Sequence, residues 1–272
     1  MKFAVCSEVF GNKKWEDVCA FCAKTGFDGI EVASISFAQS VLDIKAADRA
    51  GILKTAKDNG LGIPALHMLM SPPSMGMHIN SPDAAVRKKT VDYLKAVIDF
   101  AKDLEAGTII YGSPFSRNVT APFQYKEARA AFKDGILQAM DHAKQAKVTV
   151  CIEPLPADCT DLCTSVEAAY GLVLDVDHPN FGLMLDCKAS SNDVRPVEKT
   201  IKLFGPYLRH VHTNDPTSKA AGFGTLDYKP IMKALKEINY QHVVSLEPFK
   251  YEPDPETVAS VSLKYLKFCM AS

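Results

Sequence analysis

The sequence alternates between short apolar, β-branched runs and helical patterns from one end of the chain to the other. Strands that are apolar on both faces and separated by helices are typical of a parallel sheet covered by helices. The 272 residues divide into eight strand–helix units, each of about 34 residues, which is the scale of one barrel repeat. The predicted strands are 2–7, 28–33, 61–68, 107–112, 147–153, 180–186, 207–213 and 242–248.

Eight such units favour a closed barrel over an open, doubly wound sheet. A dinucleotide-binding sheet would carry a glycine-rich phosphate loop after its first strand, and that fingerprint is missing here. We therefore predict an α/β fold, a (β/α)₈ TIM barrel that spans 1–272 as a single domain. The clearest helical pattern is 82–105, for which Ser81 is the predicted cap and Pro82 lies in the first turn.

Composition narrows the function classes. A net charge of −1 gives no electrostatic reason to expect nucleic acid or a membrane surface as partner. No apolar run reaches the roughly 18 residues of a membrane span, and Glu8 interrupts the N-terminal apolar run, which predicts a strand rather than a signal peptide. The scattered cysteines predict a reduced, cytoplasmic protein. Cys19 and Cys22 lie in a helical pattern without a second pair, so we expect them to face the core.

Four acidic or histidine residues each lie at or near the end of a predicted strand in the second half of the chain: Glu153, Asp186, His212 and Glu247. Polar groups at the carboxyl ends of parallel strands converge at the mouth of a barrel. Taken singly, each has a structural alternative, which is a rim salt bridge, a helix cap or a core histidine. Three carboxylates buried together need a cation, so the joint pattern predicts a divalent-metal site and an enzyme. Oxygen ligands with one imidazole favour Mn²⁺, with Mg²⁺, Co²⁺ or Zn²⁺ as alternatives.

Three further residues are candidates for substrate binding. His67 ends the third strand, Arg117 lies in the loop after the fourth, and Lys188 lies two residues beyond Asp186. Each also has an ordinary alternative, which is packing for His67, a surface salt bridge for Arg117 and a solvent-facing side chain for Lys188.

Other polar residues near the predicted mouth have weaker claims. His210 shares a strand face with His212, and a supporting or core position is the preferred interpretation for it. Glu31 ends the second strand and Glu8 ends the first. Both would line the pocket or tie the rim together.

With these motifs in place, the chain resembles the sugar isomerase/epimerase branch of the xylose isomerase-like TIM barrels, also called the sugar phosphate isomerase/epimerase family. Its members include ketose 3-epimerases, hydroxypyruvate isomerases and inosose isomerases. The resemblance covers essentially the whole chain. It rests on Ile-Glu-Pro at 152–154, Leu-Asp at 185–186, His-Val-His-Thr-Asn-Asp at 210–215, Ser-Leu-Glu-Pro-Phe at 245–249 and Gly-Phe-Gly-Thr-Leu-Asp at 222–227.

The resemblance implies that Glu153, Asp186, His212 and Glu247 hold the metal and that the two glutamates are catalytic. One would remove a proton next to a carbonyl of a small-molecule sugar, and the other would return it to an enediolate. The alternative is a metal-dependent lyase or dehydratase on an oxidised keto sugar. Inosose dehydratases and C-glycoside-cleaving catalytic subunits are examples, and the latter work with a small partner subunit. Assembly of the chain into a homo-oligomer is an open alternative.

The chain also departs from the family pattern in two places. Many epimerases carry a substrate-binding histidine three residues after the strand-6 aspartate, where this chain has Ala189. They also carry an arginine shortly after the HxH motif, where this chain has Pro216 and Lys219. Both departures predict weak or absent activity on free fructose, tagatose or psicose.

Overall fold

The structure is a computed structural model that describes residues 1–70, 73–191 and 193–272. Eight parallel strands form a closed barrel in sequence order, with β1 paired to β8, so the predicted (β/α)₈ fold is confirmed. The strands are β1 Lys2–Cys6, β2 Gly29–Ala33, β3 Ala65–His67, β4 Thr108–Tyr111, β5 Thr149–Ile152, β6 Phe181–Asp186, β7 Leu208–Thr213 and β8 Val243–Leu246.

The α-helices found in the described residues follow the strands around the outside of the barrel. They are α1 Trp15–Thr25, α2 Ala46–Asp58, α3 Ala84–Asp103, α4 Tyr125–Ala146, α5 Val166–Val176, α6 Cys187–Ser190, α7 Val197–Phe204, α8 Tyr228–Glu237 and α9 Pro255–Ala271. The barrel strands are almost entirely buried, as expected for a parallel sheet between its own interior and a helical layer.

Seven of the eight predicted strands, and the helix predicted at 82–105, begin later than the sequence pattern indicated, and β3 and α3 show the physical reasons. β3 starts at Ala65 rather than at 61, since Pro64 has no N–H to add to the ladder, and Gly62 makes only an isolated bridge to Gly29. α3 starts at Ala84 rather than at 82. Its cap is Asp83, whose Oδ1 accepts a hydrogen bond from the Ala85 N–H at 2.8 Å, whereas Ser81 accepts from the Asp83 N–H and lies outside the helix.

The cysteines agree with the reduced state. All eight are free thiols, and Cys159 alone among them is exposed. Cys19 and Cys22 are fully buried on α1, which confirms that they face the core. Within the described ranges, no helix is long and apolar enough to cross a membrane.

Candidate metal and active site

The strand ends of the second half of the barrel bring four side chains to one point. Asp186 is the last residue of β6 and His212 lies opposite it in β7. Glu153 and Glu247 each follow the last residue of β5 and β8. All four are buried, and one ligand atom from each lies within 4.8 Å of the others. The structure therefore brings together the four residues that the sequence singled out.

His212 is at the centre of this cluster. Its Nδ1 lies 3.0 Å from Glu247 Oε2 and 3.1 Å from Glu153 Oε1. Its Nε2 lies 3.0 Å from Glu31 Oε1, on the other side of the ring. One ring nitrogen thus faces the candidate ligands, while the other is held by a carboxylate beneath them. This is the usual arrangement of a metal-binding histidine, in which the second nitrogen donates to a fixed acceptor.

Crowded charge shifts the pKa values of the cluster in opposite directions. Burial raises the pKa of Asp186, and the neighbouring carboxylates of Glu247 and Glu153 raise it further, to about 7. Burial also opposes ionisation of Glu247, but His212 and His67 outweigh it and lower the pKa of Glu247 to about 2. The carboxylates of Glu247 and Glu31 overcome burial at His212 and hold the imidazole pKa well above its ordinary range.

These shifts describe a site that holds excess negative charge. The raised pKa values of Asp186 and His212 mean that both groups hold a proton more strongly than they would in water, which reduces that charge. A divalent cation would take the place of those protons, because metal ligands must be deprotonated to bind. The donor set of three carboxylates and one imidazole, all buried and convergent, fits a divalent cation.

Glu31 forms the layer below the cluster. Its carboxylate is completely buried, and it lies 2.8 Å from His210 Nε2 and 3.0 Å from His212 Nε2. Burial works against ionisation of Glu31, but the two histidines outweigh it and lower its pKa. His210 is therefore a supporting residue, as its position on the strand face indicated. The sequence placed Glu31 at a strand end without identifying these partners.

Asn214 is the other supporting residue that the sequence interpretation missed. Its Nδ2 donates to Asp186 Oδ2 at 2.6 Å, and its Oδ1 accepts from the Lys188 N–H at 2.8 Å. The second oxygen of Asp186 accepts from the Ala189 N–H at 2.6 Å and caps α6. Both oxygens of Asp186 are thus oriented by the protein. The sequence did offer one indication of this role, since Asn214 lies two residues beyond His212 in the motif at 210–215.

Two glycines make room for carboxylates near the mouth. A Cβ on Gly112 would lie 1.7 Å from Glu153 Oε2, so only glycine lets this carboxylate pack against the backbone after β4. A Cβ on Gly224 would lie 1.9 Å from the carboxyl carbon of Asp215. Asp215 accepts from the N–H groups of Thr217, Thr225 and Leu226 and so fixes the long loop after β7.

A cavity of about 840 Å³ opens above the cluster, and Glu153, Asp186 and Glu247 contribute to its wall. His67 and Lys188 also line it. His67 Nε2 lies 2.9 Å from Glu8 Oε2, and its Nδ1 lies 3.3 Å from Glu247 Oε1 without the alignment of a hydrogen bond.

Lys188 reaches the same cavity with its amine already engaged. Its Nζ donates to Ser218 Oγ at 2.9 Å and lies 4.8 Å from the centre of the Phe249 ring. Both His67 and Lys188 are therefore in reach of a ligand in the cavity.

Arg117 is placed differently from the other candidates. It is fully buried and is not among the residues that line the cavity. The loop after β4 forms a short 3₁₀ turn, Pro114–Ser116, which carries Phe115 to the mouth and Arg117 into the interior. Among the described residues its guanidinium nitrogens have no hydrogen-bond partner. The predicted contact between Arg117 and substrate is corrected accordingly.

Comparisons with known proteins identify the family of this chain. The family model for the xylose isomerase-like TIM barrel matches residues 19–269. D-psicose 3-epimerase of Agrobacterium fabrum is 30% identical over 229 residues, which are 84% of this chain and 76% of that protein. D-psicose 3-epimerase of Ruminiclostridium cellulolyticum is 27% identical over 232 residues, 84% of this chain and 75% of that protein.

Solved structures give the same result. A crystal structure of a D-psicose 3-epimerase in the presence of D-fructose matches with a TM-score of 0.88 and 25% identity over 100% of both chains. These relatives are epimerases, so the comparisons favour an isomerase or epimerase and give no support to the lyase alternative.

Proposed function

Because this chain belongs to the xylose isomerase-like TIM barrel family, we propose that it is a divalent-metal-dependent epimerase or isomerase of a small keto sugar. The observation that carries the proposal is the convergence of Glu153, Asp186, His212 and Glu247 within one cluster at the mouth of the barrel. The curated relatives named above are D-psicose 3-epimerases, which act at a carbon next to a ketone. We extend that reaction type, without the particular sugar, to this chain.

The proposed metal ligands are the four members of the cluster. Mn²⁺ is the proposed metal, with Mg²⁺, Co²⁺ and Zn²⁺ as alternatives, because the donors are mostly oxygen with one imidazole. When bound, such a cation supplies Lewis acidity that polarises a substrate carbonyl and lowers the pKa of the adjacent C–H.

Glu153 and Glu247 are the proposed acid and base. They follow β5 and β8, and both lie about equally close to His212 Nδ1, at 3.1 and 3.0 Å. One carboxylate removes the proton next to the carbonyl, and the other returns a proton to the resulting enediolate. Return to the opposite face of the same carbon gives an epimer, and return to the neighbouring carbon gives an isomer.

His67 and Lys188 are the proposed substrate contacts. Glu8 holds the His67 ring beside Glu247, so the imidazole would meet a hydroxyl near the reacting carbon. Lys188 would meet a more distant oxygen from the opposite wall. The proposal involves a sugar as the small-molecule partner, with neither nucleic acid nor a membrane, and places the enzyme in the cytoplasm, where its free thiols stay reduced.

The proposal is tested with metal-loaded protein and a panel of ketoses in D₂O, followed by NMR. We expect deuterium at a carbon next to the carbonyl together with the epimer or isomer, and we expect both to disappear after chelation. Loss of a substituent without an epimer would indicate a lyase. Absence of any exchange across the panel, with the metal bound, would contradict the proposal.

A further inference from the structure

The cavity above the cluster is much larger than the reacting part of a sugar. Its volume of about 840 Å³ is in the upper part of the range of about 300–1,000 Å³ that encloses drug-sized ligands. A six-carbon sugar placed against Glu153, Asp186 and Glu247 would fill only the inner portion. The outer portion therefore has room for a second chemical group.

Much of the cavity wall away from the cluster is apolar, although Ser113, Asp158, Thr164, Ser165, Lys188 and Asp193 also border the cavity. Away from the cluster, the cavity is bordered by six residues that present mainly carbon: Met70, Pro73, Phe115, Leu155, Pro156 and Phe249. We call these residues the apolar wall. Sugar hydroxyls buried against such a surface would lose their hydrogen bonds to water without replacement. An apolar substituent would instead gain free energy by leaving water.

Two aromatic rings of the apolar wall are open to a ligand. Phe115 is 64% exposed and Phe249 is 52% exposed, although both border a concave site. The Lys188 amine lies over the Phe249 ring, 4.8 Å from its centre. The backbone N–H of Phe249 donates to the Ser218 carbonyl at 3.0 Å and fixes the backbone that carries the ring. Exposed aromatic rings at a cavity mouth are suited to stacking on another flat apolar group.

We propose that the substrate is a keto sugar that carries an aromatic substituent, which occupies the apolar wall while the sugar meets the cluster. This inference rests on the proposed function for the orientation of the sugar. The aromatic subsite itself is independent of catalysis and can be tested by binding alone.

The probes are methyl β-D-glucoside and phenyl β-D-glucoside, with Mn²⁺-loaded protein and calorimetry. Both are closed acetals without a free carbonyl, so neither is turned over by the proposed chemistry. The phenyl glycoside should bind at least about tenfold more tightly than the methyl glycoside, as expected for the burial of one ring. Equal affinity, or no measurable binding of the phenyl glycoside, would overturn the proposal.

Substitutions in the apolar wall test whether the phenyl ring binds there. Phe249→Ala and Phe115→Ala should each reduce the ratio of phenyl to methyl affinity severalfold. The matched control is Phe268→Ala on α9, since Phe268 is 58% exposed and lies beneath Lys229 at 5.4 Å but does not border the cavity. The control should keep the ratio. If the ratio of phenyl to methyl affinity is unchanged in both Phe249→Ala and Phe115→Ala, the phenyl group of the ligand binds elsewhere and the proposal is contradicted.

A second test compares rates of turnover. The kcat/KM of D-fructose is compared with that of its 1-O-phenyl and 6-O-phenyl ethers, which place the ring at either end of the sugar. We expect at least one ether to exceed fructose about tenfold. If fructose reacts and both ethers react no better, the aromatic subsite is wrong and the epimerase proposal stands. If the phenyl glycoside binds selectively but no sugar exchanges a C–H, the subsite stands and the epimerase proposal fails.

Discussion

The two halves of the barrel contribute different things to the candidate site. The second half, β5–β8, supplies the four convergent residues that would bind the metal. The first half, β1–β4, supplies residues that contact members of the cluster. Glu31 accepts hydrogen bonds from His212 and from its neighbour His210, and His67 lies beside Glu247. Both halves of the barrel therefore contribute to the candidate metal site, although all four candidate ligands come from the second half.

The largest effect is expected in the second half. Glu153→Gln and Glu247→Gln should each reduce kcat by about 10²–10⁴-fold, because a positioned proton-transfer group is lost. Gln keeps the size of the side chain, so the fold should survive, which circular dichroism checks. The activity is measured on whichever panel sugar the wild type converts. Near-normal turnover in either variant would show that the reacting groups lie elsewhere.

A second effect concerns substrate choice within the same half. Ala189 and Pro216 border the cavity and offer no side-chain hydrogen bond. Each polar partner that a free ketohexose fails to find is expected to reduce its binding by about 1–3 kcal/mol. We therefore expect kcat/KM for fructose, tagatose and psicose to stay below about 10⁴ M⁻¹s⁻¹ with Mn²⁺ or Co²⁺. A higher value on any of the three would show that other contacts replace the missing ones.

The first half is tested through Glu31. In the structure each oxygen of Glu31 meets one histidine, so a glutamine there keeps one acceptor oxygen and turns an NH₂ donor toward the other ring. Glu31→Gln should weaken metal affinity by about 10–100-fold, the usual consequence of removing a group that orients a ligand. Titration with Mn²⁺ measures the affinity, and excess Mn²⁺ should restore binding. Glu105→Gln, at an exposed surface carboxylate, is the control. Unchanged affinity in Glu31→Gln would confine the metal site to the second half.

The smallest effect is on stability as a function of pH. Asp186, with a folded pKa of about 7, keeps a proton in the metal-free folded protein where an unfolded aspartate, with a pKa of about 3.9, has lost it. The folded state then binds more protons, so the stability of the metal-free protein should fall as pH rises from about 4.5 to 6. Glu31, whose pKa is lowered, contributes with the opposite sign and at lower pH.

Thermal unfolding in EDTA measures this slope. The wild type should lose several degrees in Tm between the two pH values, and Asp186→Asn should lose less. Asp58→Asn, on the surface of α2, should keep the slope of the wild type. If Asp186→Asn loses as much Tm between the two pH values as the wild type, the raised pKa of Asp186 does not cause the pH dependence of stability.

The sequence predicted the barrel and the four cluster residues because both depend on local patterns. Each ligand residue lies at the end of a buried run, and parallel strands bring such ends together whatever the loops do. Glu31 and Asn214 were not identified as supports, because their roles depend on which side chains meet across the barrel. The exact start of α3 depended on competition between neighbouring caps at Ser81 and Asp83.

Arg117 shows the limit of arguments from loop position. Its place after β4 suggested a substrate contact, but a single 3₁₀ turn decides which side chain faces the mouth, and that turn exposes Phe115 instead. The character of the outer cavity was equally invisible, since the apolar wall draws residues from several separate loops.

The central claim is that the four residues of the cluster hold one divalent metal ion. It is tested most directly by elemental analysis of the wild type, Asp186→Ala and His212→Ala after equilibration with Mn²⁺ and removal of free metal. The account predicts about one ion per chain in the wild type, because the four side chains of the cluster converge on one point, and a large loss of metal in both variants. Full occupancy in both variants would contradict it.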